Sequence, residues 1–179
     1  DLFHYMMNPE FLLVGLESIV IRLKEKNFLM ADEGILLLAD IYRHSLKDQE
    51  ELVPLKEELQ AMQCTQTFFR QFVSKNIILS PLPDPAELLI VPRTLTKVLE
   101  AIAYSQLSSE SMPLSLSTEL SENCLILKFE SNFSLTKSDL LQDTLKVIND
   151  RLHWQDLSIF SIYIPLEKPF NAQFKVQIS

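Results

Sequence analysis

Apolar residues in the first part of the chain recur at the spacing of an α-helix. Successive members of one apolar stripe are four, three and four residues apart, which places them on a single helical face. The members of this stripe are Leu12, Leu16, Ile19 and Leu23. Asn8 followed by Pro9 is typical of a helix start, because Asn caps a helix and Pro suits its first position. The pattern therefore predicts a helix that begins at Pro9 and ends near Asn27.

Two more helices are predicted before residue 75. Asp32 is a suitable cap for the second helix. The apolar positions of that helix are Ile35, Leu38, Ile41, Tyr42 and Leu46. The third helix is predicted over residues 55–73, where Glu57 and Glu58 place negative charge at the N-terminus and so favour the helix dipole.

The pattern changes near Asn76 from helical periodicity to short apolar runs and alternation. Strands are predicted over residues 77–79, 88–91, 113–120, 124–130, 158–164 and 172–178. Helices are predicted from just after Pro92 to about Gln106 and around the stripe of Leu141, Leu145, Ile148 and Leu152. Leu125, Leu127 and Phe129 fall on one strand face. The sequence therefore predicts an α+β protein, with a helical region over 1–75 and a sheet with helices on one face over 76–179.

Composition agrees with a folded chain of one or two small domains. The 179 residues are 47% hydrophobic, with a mean hydropathy of +0.10. No apolar run approaches the roughly 18 residues of a membrane helix, and no signal peptide is visible. The net charge of −8 argues against nucleic acid as a ligand and disfavours an anionic nucleotide. Because the chain begins at Asp1 rather than Met, we expect a piece of a longer protein.

Glycine usage limits the possible phosphate sites. Gly15 and Gly34 are the two glycines of the chain, where average usage would give roughly a dozen. A glycine-rich loop around a nucleotide phosphate is therefore excluded beyond residue 34. Cys64 and Cys124 have no metal-ligand spacing and are interpreted as reduced core residues.

Four short segments form a collinear set. Residues 8–13 read Asn-Pro-Glu-Phe-Leu-Leu, residues 40–46 read Asp-Ile-Tyr-Arg-His-Ser-Leu, and residues 51–59 read Glu-Leu-Val-Pro-Leu-Lys-Glu-Glu-Leu. Residues 91–100 read Val-Pro-Arg-Thr-Leu-Thr-Lys-Val-Leu-Glu. In this order and spacing the segments resemble the LytS-like sensor histidine kinases, whose first segment is Asn-Pro-His-Phe-Leu-Phe. The resemblance extends over nearly all 179 residues.

The resemblance implies a helical hairpin for dimerisation and phosphoacceptance, followed by a GHKL-type ATP-binding domain built as a helix-on-sheet sandwich. In the family, the His of the first segment takes a phosphoryl group from ATP and passes it to a response regulator. Glu10 occupies that position here, and a carboxylate cannot replace the imidazole. Without the resemblance, Glu10 is an acidic residue that favours the first turn of a helix.

The positions that hold the nucleotide in the family are altered as well. Glu100 is retained as a candidate catalytic position, and without its neighbours it is typical of a solvated helix residue. Ala101 replaces an Asn that helps to hold Mg²⁺, and an Ala side chain offers no oxygen to the cation. Tyr104 and Ser105 replace a basic pair.

The adenine-binding segment of the family corresponds to residues 130–133 of this chain. Ser131 replaces an acidic or amide residue, Asn132 is retained, and Phe133 stands where glycine is usual. A later segment keeps Arg151 and Leu152 but has lost its Gly and Asn. Apolar positions thus match the family better than the polar positions that carry chemistry.

The leading hypothesis is a catalytically degenerate LytS-like histidine kinase core, with no intact catalytic residue and no metal site. Glu10 and Glu100 are vestigial catalytic positions, and Ser131, Asn132 and Arg151 are vestigial nucleotide positions. We expect neither ATP nor Mg²⁺ as a cofactor. The expected partners are a second copy of the chain and a response regulator of the LytTR type, or another kinase. We expect the cytoplasmic part of a bacterial inner-membrane protein, because the family carries membrane or sensory segments upstream.

Two alternatives remain open. One is a divergent but active ATP-dependent histidine kinase that uses His4 or His44, supported by the retained Glu100, Asn132 and Arg151. The other is an unrelated α+β interaction or ligand-binding module. His153 is interpreted as a residue that helps to end its helix.

Overall fold

The structure is a computed structural model that describes most of the chain. The described residues are 9–46, 52–82, 84, 88–105, 113–121, 124–131, 138–153, 157, 159–163 and 170–178. Five helices are described, namely α1 (Pro9–Lys24), α2 (Phe28–Ser45), α3 (Leu55–Phe72), α4 (Thr94–Ser105) and α5 (Ser138–His153). The strands are β1 (Val53–Pro54), β2 (Ile77–Leu79), β3 (Leu89–Ile90), β4 (Leu114–Ser121), β5 (Cys124–Ser131), β6 (Ile159–Tyr163) and β7 (Phe170–Gln177).

Helices α1 and α2 form an antiparallel hairpin with a tight connection. Lys26 takes a left-handed conformation there, with φ of 58°. Asn27 then caps α2, because its side chain accepts a hydrogen bond from the backbone N–H of Met30 at 3.3 Å. The prediction that Asp32 caps this helix is therefore wrong by about one turn. Among the described residues, no helix has both the length and the apolar character needed to cross a membrane.

Helix α3 packs into two notches that the glycines leave in the hairpin. A Cβ at Gly15 would lie 2.7 Å from Cζ of Phe68, and one at Gly34 would lie 2.6 Å from Cε1 of Phe72. The two rings stack on each other with centroids 5.0 Å apart. The Ser18 hydroxyl donates a hydrogen bond to the carbonyl of Phe72, at 2.5 Å. Glycine in this chain therefore permits close helix packing, and neither residue has a positive φ.

The position of α3 decides which face of α1 is buried. Phe11, Gly15 and Ile19 are the buried residues of α1. Leu16 and Leu23, which the sequence assigns to the same apolar stripe as Ile19, are 45% and 43% exposed. The predicted stripe is therefore only partly right, because hydrophobicity alone gives no weight to the glycine that admits α3.

The main sheet has five strands in the order β2-β4-β5-β7-β6. Strand β2 pairs with β4 in parallel, and the other three pairs are antiparallel. Strands β1 and β3 form a separate antiparallel pair, in which Val53 lies opposite Ile90. The chain order of elements after residue 75 agrees with the prediction. The two-residue strand β1 was not predicted, and β3 pairs with it rather than with the main sheet.

One face of the main sheet carries the core of the second half of the chain. Leu125, Leu127 and Phe129 alternate along β5 and are fully buried, as predicted. Phe174 on β7 contacts Phe129 edge to face, with ring centroids 5.7 Å apart. Helix α5 adds Leu145, Ile148 and Leu152, which are buried as predicted, whereas the side chain of Leu141, the other member of the predicted stripe, lies outside the description. The α+β arrangement of helices followed by a sheet is therefore confirmed.

We predict that Gly34→Ala and Gly15→Ala each lower the free energy of unfolding, by about 1–2 kcal/mol. Alanine in a helix is intrinsically favoured over glycine by about 1 kcal/mol, so a net loss would report the collision with the phenylalanine rings. Urea unfolding monitored by circular dichroism measures the change. The substitution Glu33→Ala at the neighbouring exposed position of α2 is the matched control. Stabilisation by Gly34→Ala would contradict the close packing, and Phe72→Leu in that variant should recover part of the loss.

Candidate functional site

Helix α4 and the residues before it form the most enclosed segment of the described chain. Every residue from 91 to 103 is buried. Three of these side chains are charged, namely Arg93, Lys97 and Glu100, with exposed fractions of 2%, 6% and 4%. Such side chains are almost never fully buried unless they are paired. This segment includes Glu100, the acidic residue that the chain shares with the family it resembles.

The three charged side chains form one buried ion cluster. Lys97 Nζ lies 2.9 Å from Glu100 Oε2, and Arg93 Nη2 lies 3.6 Å from Glu100 Oε1. Burial lowers the pKa of Lys97, and the carboxylate of Glu100 partly offsets this effect. Both oxygens of Glu100 thus face cationic side chains. The prediction of a solvated Glu100 is therefore wrong. Lys97, one helical turn earlier, is buried beside it and pairs with its carboxylate.

Tyr42 of α2 lies close to this ion cluster. The pKa of Tyr42 is raised to about 12, mainly by burial and also by the nearby carboxylate of Glu100, while Arg93 acts in the opposite direction. The phenol is neutral at ordinary pH in any case, and its burial beside the cluster makes its ionisation still less favourable. The helical hairpin and α4 are therefore in electrostatic contact.

Glu58 of α3 provides the cap of α4. Its side chain is fully buried, and Oε1 accepts a hydrogen bond from the backbone N–H of Arg93 at 2.6 Å. Oε2 accepts a second hydrogen bond from the N–H of Leu95, at 3.1 Å. His44 Nε2 lies 2.5 Å from Oε1. The acidic start of α3 was predicted to favour its own dipole, but Glu58 instead satisfies the first N–H groups of another helix.

The other predicted site residues lie on four different elements. Glu10 is exposed in the first turn of α1, the position predicted for it. Ala101 is buried in α4 with an exposed fraction of 4%. The hydroxyl of Ser131, at the end of β5, donates a hydrogen bond to the carbonyl of Pro113 at 2.6 Å. Arg151 of α5 donates to the carbonyl of Pro92 at 3.2 Å.

The structure thus brings Arg151 to the N-terminal end of α4, near the ion cluster. Asn132 and Phe133 lie outside the described residues, so the adenine-binding segment is described only as far as Ser131. The side chains of Tyr104 and Ser105 are likewise outside the description.

The three histidines differ in how far the structure describes them. His4 lies outside the described residues. The side chain of His44 is only 10% exposed, and its Nε2 faces Glu58. His153 is exposed in the last turn of α5, where the predicted helix end is confirmed. For His44 the structure agrees with a packing role.

Sequence reasoning missed the partners that define this site, namely Glu58, Arg93 and Lys97. One signal was available for the ion cluster, since Lys97 and Glu100 are three residues apart and so lie on the same side of a helix. No local signal pointed to the capping role of Glu58, because the backbone N–H groups that it accepts from are more than thirty residues away. In the part of the chain that is described, no group of His, Cys, Asp or Glu is arranged to hold a metal ion.

Comparison with protein families gives a match over the helical part of the chain. Residues 1–65 match the family model described as "Histidine kinase". The match includes α1, α2 and the first part of α3, together with Glu10 and His44. No curated protein matches the chain. The helical region of this chain therefore carries the sequence pattern of histidine kinases.

Two solved structures of histidine kinases are similar to the chain in part. The Acinetobacter baumannii histidine kinase AdeS aligns with a TM-score of 0.47 and 17% identity, covering 92% of this chain and 83% of that chain. The cytoplasmic segment of histidine kinase QseC aligns with a TM-score of 0.43 and 13% identity, covering 74% of this chain and 78% of that chain. Neither likeness bears on what this chain does.

We predict that Glu100→Gln lowers the free energy of unfolding by about 3–5 kcal/mol, the range for breaking a buried ion pair. The change removes the carboxylate that faces two buried cations. The double variant Lys97→Met with Glu100→Gln should lose less than Glu100→Gln alone, since it also removes one of those cations. Chemical denaturation measures both. The substitution Glu130→Gln, at an exposed position of β5, is the control. A change below about 0.5 kcal/mol for Glu100→Gln, as at a surface position, would contradict the ion cluster.

Proposed function

We propose that this chain is the dimerising core of a sensor histidine kinase homologue that has lost phosphotransfer and acts in two-component signalling by protein contact. The assignment to the sensor histidine kinases is supported by the family match over residues 1–65 and by the helical hairpin that precedes a helix-on-sheet unit. This is the arrangement expected of a LytS-like member with a degenerate GHKL domain. An unrelated α+β module has less support, because both its sequence pattern and its element order would have to match by coincidence.

The single observation that carries the loss of chemistry is the buried ion cluster on α4. The retained Glu100 is the one acidic residue of the family's nucleotide-binding helix, and its two oxygens face Lys97 and Arg93 rather than solvent. Ala101 beside it presents a buried methyl group. A carboxylate engaged in this way is not free to activate a phosphoacceptor. Glu10 supports the same loss of phosphotransfer, because its carboxylate stands where the family has the phosphoacceptor His.

An exposed apolar face on the hairpin supports dimerisation. The face consists of Leu13, Leu16, Val20 and Leu23 on α1, Phe28 and Ile35 on α2, and Leu46 at the C-cap of α2, each at least 43% exposed. Leu16 and Ile35 also line a shallow groove of about 250 Å³ between the two helices, together with Tyr42. A contiguous exposed apolar surface on a helical pair is typical of a protein–protein interface. We propose a second copy of the chain as the partner that covers it.

The proposed downstream partner is a response regulator of the LytTR type or another kinase, bound through the dimer. The proposed location is the cytoplasm, with any membrane attachment supplied by upstream segments. The alternative of a divergent active kinase using His44 has little structural support. Transfer through its Nε2 would first require the contact with Glu58 to break.

We predict that the protein does not bind nucleotide. Isothermal titration with a non-hydrolysable ATP analogue and Mg²⁺ should give no heat at high-micromolar protein and millimolar ligand. Incubation with labelled ATP and either Mg²⁺ or Mn²⁺ should leave the protein unlabelled. An active LytS-like kinase assayed alongside is the control.

Micromolar binding of the analogue would contradict the proposal, because it would require a nucleotide pocket rebuilt without glycine. Labelling that disappeared on Glu10→Ala would contradict it equally, as would any robust phosphotransfer to a regulator. Acid-labile phosphate located by mass spectrometry on His4 or His44 would establish the alternative of an active kinase.

We predict that the chain is a dimer at micromolar concentration and that Leu16→Lys with Ile35→Lys gives a monomer. The two charges would lie in the groove of the apolar face and would have to be buried in the dimer. Sedimentation equilibrium against the 20.7 kDa chain mass measures the state. Val147→Lys is the matched control, because Val147 is an exposed apolar residue on α5. A monomeric parent protein, or a double variant that stays dimeric, would contradict the proposed interface.

A further inference from the structure

The first turn of α4 is held by groups that come from other elements. Glu58 of α3 accepts hydrogen bonds from the N–H groups of Arg93 and Leu95, one with each carboxylate oxygen. Arg151 of α5 donates to the carbonyl of Pro92, just before the helix. The residue at the cap position, Arg93, has no side-chain oxygen with which to accept these N–H groups itself. The start of α4 therefore depends on the position of α3 and α5.

Arg93 occupies a backbone conformation that needs such support. Its φ is 67°, in the left-handed region that residues other than glycine enter at a cost of about 1–2 kcal/mol. Its N–H is bonded to Glu58, and its guanidinium lies beside Glu100. Backbone strain of this kind persists only where surrounding contacts hold it. The hydrogen bond from Glu58 is one of those contacts.

The helical hairpin reaches the same carboxylate through His44. Its Nε2 shares Oε1 of Glu58 with the N–H of Arg93, at 2.5 Å and 2.6 Å respectively. His44 lies near the C-terminal end of α2, within its last turn. An oxygen that contacts both groups at hydrogen-bond distance fixes their relative positions. The hairpin and the first turn of α4 are therefore bonded to one atom.

We propose that Glu58 acts as a coupling residue that transmits displacement of the α1–α2 hairpin to the first turn of α4. When α2 moves and carries His44 away, the carboxylate is free to rotate, and the cap of α4 weakens. The strained conformation at Arg93 then relaxes, and the ion cluster that Arg93 shares with Glu100 loosens with it. This coupling goes beyond the proposed function, since it holds whether or not the chain binds nucleotide or forms a dimer.

Amide hydrogen exchange in the intact chain tests the coupling. The variant His44→Phe keeps a ring of similar shape and removes the nitrogen that faces Glu58. We expect the amides of Arg93 and Leu95 to exchange roughly tenfold faster or more, which is the size of effect expected on weakening a hydrogen bond to a charged group. Amides in β5 and β7 should keep their exchange rates, which separates local opening from global destabilisation. His153→Phe, at an exposed position on α5, is the matched control.

A double-mutant cycle distinguishes coupling from a static cap. Glu58→Gln should itself speed exchange at Arg93 and Leu95, because an amide can accept only one of the two hydrogen bonds. In that background, His44→Phe should have no further effect at these two amides. Glu57→Gln, which removes the same charge one residue earlier, controls for the charge. Additive effects of the two substitutions, or unchanged exchange in His44→Phe alone, would overturn the proposal. His44→Phe decides the question even if Glu58→Gln fails to fold.

Discussion

The seating of α3 against the two glycines of the hairpin is the constraint on which the other contacts depend. Phe68 and Phe72 enter the notches at Gly15 and Gly34, and this fixes α3 along and around its axis. The same helix carries Glu58 at its start and Gln66 near its middle, whose amide donates to the carbonyl of Ile77 on β2. A shift of α3 by one residue would withdraw both groups. Because the two phenylalanine rings are closely packed against the glycines, shifting α3 would cost free energy of packing.

The distribution of charge differs between the surface and the interior. The chain as a whole carries a net charge of −8, yet the buried ion cluster sets two cations, Arg93 and Lys97, against one carboxylate. Buried ion pairs add little to stability compared with apolar packing. A buried charge that is separated from its partner is, however, strongly destabilising. The cluster therefore specifies where α4 sits more than how strongly it is held. In the family that the chain resembles, the corresponding helix helps to bind the nucleotide. In this chain α4 is instead held in place by its own charged side chains.

The sequence predicts the fold well where one element contains its own signal. The alternation of Leu125, Leu127 and Phe129 and the stripe ending at Leu152 both identify their elements and their buried faces. The sequence predicts poorly what depends on a distant partner. The buried face of α1 depends on the glycines that admit α3, and the role of Glu58 depends on N–H groups more than thirty residues away. At the candidate site, the position of Glu100 could be predicted from the resemblance, but its pairing with Arg93 could not.

The scarcity of glycine also bears on the unfolded state. With only two glycines in 179 residues, the unfolded chain samples fewer backbone conformations than one of average composition. An alanine loses less backbone entropy on folding than a glycine, and the difference is worth roughly 0.5–1 kcal/mol for each such position. Left-handed positions such as Ser74, with φ of 54°, then carry ordinary side chains. Part of the stability of this protein therefore originates in the stiffness of its denatured ensemble, where no contact in the folded structure can reveal it.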